Sequence, residues 1–114
     1  MFTEKLALEI LDYPKGITSI EQVDNEIFIL SKTRLHDDVY NIYELANLCK
    51  IWAYKKGVNS FLSGIDTANK EPTFFVYLAD FKDSGGYDKQ FKADNEPEAV
   101  FKACEWIFNK KGIV

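Results

Sequence analysis

Few side chains of this sequence could carry chemistry. His36, the only histidine, stands directly before Asp37 and Asp38. One imidazole with two carboxylates can hold a divalent ion, or act as a base with its orienting acid. Adjacent residues of an extended segment point to opposite sides, however, and no second histidine or distant ligand pattern completes a cage. A small ligand- or metal-binding domain or enzyme using the His36, Asp37, Asp38 loop is therefore the alternative reading, and a solvated loop is the plainer one. Cys49 and Cys104 lie far apart with no Cys-x-x-Cys pair, so neither a zinc site nor a thioredoxin-like motif is written here. A nucleophilic thiol needs a helix N-terminus or a nearby cation. Both cysteines instead fall in mid-helix on an apolar stripe, as small core residues. Ser84, Gly85 and Gly86 lack the flanking lysine, the further glycines and the strand-to-helix setting of a phosphate cradle or nucleophile turn, and fit a hairpin tip. The expectation is no catalytic residue, no metal site and no cofactor.

The other constellation is aromatic. Phe74, Phe75, Val76 and Tyr77 invite comparison with sheets that stack RNA bases on exposed rings. Charge argues against it. Asp80, Asp83, Asp88, Asp94, Glu96 and Glu98 surround that half of the chain against Lys82, Lys89 and Lys92. Over the whole chain 18 acidic residues stand against 14 basic ones, and Arg34 is the only arginine. Nucleic-acid affinity rests on clustered Lys and Arg, so no nucleic-acid partner is expected. The acidic excess is also too small to imitate DNA, which carries a negative charge about every 1.7 Å.

The elements that position these residues are marked by periodicity and caps. A helix is expected over Ile42 to Lys56, with Asn41 as N-cap, Glu44 at the third position and Gly57 as stop. Leu45, Ala46, Leu48, Cys49, Trp52 and Ala53 form its apolar face. A second helix runs over Pro97 to Lys111, capped by Asn95 or Glu96, with Val100, Ala103, Cys104, Ile107 and Phe108 inward. Aligning Cys49 with Cys104 superposes the lysine pairs and glycines that end both helices, so the two present the same phase. Between them, Val58 to Ile65, Thr73 to Asp80 and Lys89 to Ala93 read as a three-stranded antiparallel meander. Thr3 to Leu11 reads as a short helix, although Leu6, Leu8 and Ile10 also alternate like a strand. Ile17 to Val23 and Glu26 to Lys32 flank a hairpin turn at Asp24 and Asn25. Thr33 to Tyr40 reads as a polar connection.

A chain of 114 residues, 46% hydrophobic and 28% charged, suits one globular domain that needs no metal or disulfide to close its core. No run approaches the roughly 20 apolar residues of a membrane span, and Glu4 and Glu9 interrupt the place of a signal peptide, so a cytoplasmic location without membrane contact is expected. The fold class expected is α+β, a mostly antiparallel sheet packed with two amphipathic helices in the order (α)ββαβββα. The single domain divides into an N-terminal helix and hairpin, residues 1–40, and an αβββα sandwich over 41–112. If the helices cover Phe74, Val76 and Leu78, the opposite face holds Thr73, Phe75, Tyr77 and Ala79. Either the N-terminal helix and hairpin cover it, in a three-layer or extended-sheet domain, or it marks a protein interface.

The segment Phe91, Lys92, Ala93, Asp94, Asn95, Glu96, Pro97, Glu98, Ala99, Val100, Phe101, Lys102, Ala103 resembles the ending of small phage and prophage alpha-beta sandwich proteins of unknown function. In those, a strand runs through an acidic Pro-Glu-Ala turn into the last helix. The shared order of elements covers residues 41–112, and the hairpin before Asn41 lies outside it. The resemblance implies a mobile-element accessory protein and no catalytic residue. Taken with the missing catalytic constellations, the expectation is a small acidic, non-enzymatic protein-binding module that modulates or inhibits a host protein. Its interaction residues are expected to be Phe75, Tyr77, Asp80, Asp83, Tyr87 and Asp88. A homodimer that pairs its sheet faces is the further option.

Overall fold

A computed structural model describes residues 2–33, 35–58, 60–68, 70–80 and 87–111, with 60, 79, 80, 87, 88, 110 and 111 described by their backbone alone. Helix α1 spans Glu4–Ile10 and is followed by strands β1 (Ile17–Val23), β2 (Glu26–Ser31) and β3 (Asp38–Asn41). Helix α2 (Ile42–Lys55) leads into β4 (Ser60–Asp66), β5 (Thr73–Asp80) and β6 (Tyr87–Ala93), and α3 (Glu96–Lys111) closes the described chain. The class is α+β, in the expected order of elements.

Local chemistry explains the starts and stops. The Thr3 hydroxyl accepts from the Leu6 N–H at 3.3 Å, which caps α1 and decides the Leu6, Leu8, Ile10 ambiguity in favour of helix. The Asn41 side chain accepts from the Tyr43 N–H at 2.9 Å, and Glu44 sits in the first turn of α2 where the helix dipole favours an anion. Asn95, not Glu96, caps α3, accepting from the Glu98 N–H at 2.9 Å. Asp24 turns the first hairpin with φ of +53°, a left-handed conformation that Asp tolerates better than most residues.

The strands form two antiparallel sheets, β1-β2-β3 and β4-β5-β6, where the sequence suggested one. Strand β3 is an addition. The segment read as a polar connection ends in Asp38–Asn41, which pairs with β2 from Glu26↔Asn41 to Ile29↔Asp38. Four residues with one carboxylate give no alternation long enough to read, and it is the β2 edge that makes them a strand.

One core joins both sheets to the helices. Ile27 and Ile29 of the first sheet, Val76 and Leu78 of the second, and Leu6, Leu45, Cys49, Phe101, Cys104 and Ile107 of the helices belong to a single buried cluster. Phe2 meets Phe101 edge-on at 5.2 Å between ring centroids. The Cα trace measures 45 × 39 × 16 Å. Packed layers lie about 10 Å apart, so the short axis has room for one layer of strands and one of helices. No helix among the described residues is long and apolar enough to cross a membrane.

Candidate functional site

A slab of two layers leaves the far side of its sheets uncovered by the described residues, and on the second sheet that side is aromatic. Helix α3 packs on β5 and β6 from one side only, burying Val76 and Leu78. Phe91, opposite Val76 in the ladder, meets the Trp106 ring of α3 at 6.1 Å and fixes which side faces the helices. Side chains alternate along a strand, so Thr73, Phe75 and Tyr77 project the other way, joined by Leu62 opposite Tyr77, Gly64 opposite Phe75, Lys92 and Gln90. The N-terminal segment does not cover them. Helix α1 packs against α2, α3 and β1, and its hairpin belongs to the other sheet.

Three apolar side chains dominate this face. Leu62 is 58% exposed, while Phe75 and Tyr77 are half-buried. Gly64 explains part of the shielding of Phe75: a Cβ built on Gly64 would stand 2.8 Å from the tip of the Phe75 ring. The tip of the ring therefore occupies the space over the glycine that a side chain would fill, covering backbone there. Leu62 and Gly64 are not among the interaction residues expected from the sequence, which come from β5, β6 and the segment between them. The alternation Leu62, Gly64 beside Phe61, Ser63 was the signal for them.

The register spreads the other expected interaction residues over two phases of the ladder. Asp88 stands opposite Ala79, in step with Phe75 and Tyr77, whereas Tyr87 stands opposite Asp80, in step with Leu78. Asp83 lies outside the described residues. Lys89, also in step with Leu78, places its ammonium 6.0 Å from the Trp106 ring centroid on the helix side.

The residues weighed for catalysis are dispersed. His36 and Asp37 are exposed, whereas Asp38 belongs to β3 and accepts a 2.7 Å hydrogen bond from the Tyr13 hydroxyl. The Tyr40 hydroxyl lies 3.4 Å from the same phenol. Burial, then the neighbouring Tyr40 and Asp38, push the Tyr13 pKa well above that of a free phenol, so it acts as a hydrogen-bond donor and not as a base. Among the described residues no three His, Cys, Asp or Glu side chains gather as metal ligands would.

Cys49 and Cys104 are both buried, where α2 and α3 meet. The Cys104 thiol donates to the Cys49 carbonyl at 3.5 Å. The facing Cys49 thiol and then burial raise its pKa, the reverse of what a nucleophile needs. A depression of about 520 Å³ beside the start of α3 is lined by Thr73, Lys92, Asp94, Asn95, Glu98 and Lys102. Its volume would suit a small ligand, but its lining holds no thiol or imidazole and its Lys102 ammonium is engaged on the Lys92 carbonyl at 2.8 Å. No family model matches this chain, and neither a curated protein nor a solved structure matches it.

Proposed function

We propose that this chain is a non-enzymatic protein-binding module that works through the uncovered face of the β4-β5-β6 sheet. The observation that carries the reading is the placement of Leu62, Phe75 and Tyr77 on the sheet side opposite the one on which α3 packs among the described residues. Apolar surface of this kind gains about 25 cal/mol per Å² when water is removed, and an aromatic centre with polar flanks is the composition of interface cores. The partner would offer an apolar patch bordered by basic residues. The net charge of -4 and the position of Asp88, in step with Phe75 and Tyr77, are the grounds for that complement. The likeness of residues 91–103 to the ends of phage and prophage proteins is the ground for seeking that partner among host proteins, in the cytoplasm.

The test is site-specific photo-crosslinking from position 77, with position 54 on the outer side of α2 as control, followed by affinity measurement on the protein captured. Adducts from 77 and not from 54 are expected, with Tyr77→Asp weakening the isolated complex at least tenfold. Adducts from 54 alone, or an affinity indifferent to Tyr77→Asp, would overturn the proposal.

A further inference from the structure

Sheet edges expose unpaired N–H and C=O groups, and proteins that stay monomeric guard them with bulges, brevity or charge. Each sheet here has two edges. In the first, β1 carries a register shift between Ile17 and Ser19 and a mid-strand Glu21, and β3 is only four residues long. In the second, β6 carries Asp88, Lys89 and Lys92. Strand β4, Ser-Phe-Leu-Ser-Gly-Ile-Asp, has none of these guards. It runs seven residues in unbroken register, without proline, and its single charge is the terminal Asp66. Two of its side chains are large, apolar and mostly exposed, Leu62 at 58% and Ile65 at 55%, and they lie on opposite faces of the strand. An interface laid on one face of the sheet would bury only one of them. A strand added along the edge would bury both.

We infer that β4 pairs antiparallel with β4 of a second copy of this chain, about a twofold axis at Ser63. The reading stands on the edge; of the uncovered face it takes up Leu62, beside Phe75, and leaves Tyr77 outside the pairing. Residues opposite each other in an antiparallel pair point to the same side, so the axis must pass through a residue. Only Ser63 uses all seven residues. It sets Phe61 against Ile65 of the second copy on the helix side, and Leu62 against Gly64 on the uncovered side, each pair occurring twice. The large Leu62 thus meets the position with no side chain of its own, beside the Phe75 ring that lies over it. Asp66 falls opposite Ser60, so like charges do not meet. An axis at Gly64 would instead set Asp66 against Leu62, and one at Leu62 would leave Ile65 beyond the strand. The product is a continuous six-stranded sheet in a closed twofold dimer, with the helices of both copies on one side. The shared edge is only about 24 Å long, which places dissociation in the micromolar range and not the nanomolar.

Sedimentation across 1–200 µM, combined with cysteine cross-linking under oxidised glutathione, tests the pairing. The wild-type chain should show a concentration-dependent dimer, weakened at least tenfold by Leu62→Lys and by Ile65→Lys. Ser63→Cys should cross-link rapidly, because Cβ atoms of directly opposed residues lie about 5 Å apart. Ile65→Cys should not, since its twin would lie about 14 Å away along the strand. A wild-type chain that stays monomeric to 200 µM, or a dimer that ignores the lysines and cross-links as well from 65 as from 63, overturns the inference. A dimer dissolved by Tyr77→Asp but not by Leu62→Lys would also overturn it, by assigning self-association to the sheet face.

Discussion

Tyr13 shows how one hydroxyl ties the ends of a segment together. Its phenol bridges the loop after α1 to Asp38 at the start of β3, and it is only 8% exposed. Replacing it with Phe removes a charge-assisted hydrogen bond to Asp38, at a cost of about 1–3 kcal/mol. Urea denaturation of Tyr13→Phe at pH 7 should show that loss. The pH dependence has a definite sign. Folding raises the phenol's pKa above its ordinary 10.0, so its stabilisation is complete below pH 10 and is lost as pH climbs beyond that value. The wild-type chain should therefore lose stability above pH 10 more steeply than Tyr13→Phe, and parallel curves would contradict the assignment. None of this was legible in the sequence. Tyr13 and Asp38 are 25 residues apart, and their contact depends on a strand too short to announce itself. The cysteines, by contrast, were legible, because a three-and-four spacing places them on an apolar stripe whatever the tertiary detail.

Among the elements, α1 is the one whose sequence signals conflicted, and a cap together with one carboxylate explains its place. Thr3 starts it, and near its end Glu9 accepts from the Trp52 indole N–H at 3.3 Å and pairs with Lys56 at 3.1 Å, holding the helix against α2. The Lys56 ammonium holds the Glu9 pKa below its ordinary 4.5, against the partial burial that opposes it. The pair is about one-third exposed, so solvent screening keeps its contribution under about 1 kcal/mol. A lowered carboxylate pKa stabilises above pH 4.5 and ceases to as pH falls through the folded value. Glu9→Gln should accordingly be slightly less stable than wild type at pH 7 and equal to it near pH 3, in thermal melts followed by Trp fluorescence. A difference that persists at pH 3 would mean that Glu9 acts through packing and not through charge. Helices α2 and α3 and strand β5 were readable nearly to the residue, since each carries its own cap or an unbroken apolar run. The β1–β2 hairpin and the β4-β5-β6 meander pair as the order of strand signals and turns implies, whereas the pairing of β3 with β2 was not readable. Nothing in the local pattern says that β1 to β3 close a sheet of their own, because that choice is made by contacts across the core.

For the molecule as a whole, thickness decides which sheet face is open. A slab of 16 Å has room for one layer of helices on one layer of strands, and so the aromatic positions of β5 and the leucine of β4 end on the side the helices do not reach. The sequence posed that question correctly, by showing that β5 is apolar on both faces, but could not answer it. Whether the N-terminal segment folds beneath the sheet or beside it depends on where α1 finds its apolar partners, and it finds them on α2 and α3. The most direct test compares three tyrosines of the same chain under hydroxyl-radical footprinting at low micromolar concentration. Tyr54 is 75% exposed on α2, Tyr13 is buried, and Tyr77 lies on the sheet face. Tyr77 should be oxidised several-fold faster than Tyr13 and more slowly than Tyr54. A Tyr77 as protected as Tyr13 would mean that the chain covers its own sheet, and would contradict the claim that this face is open to a partner.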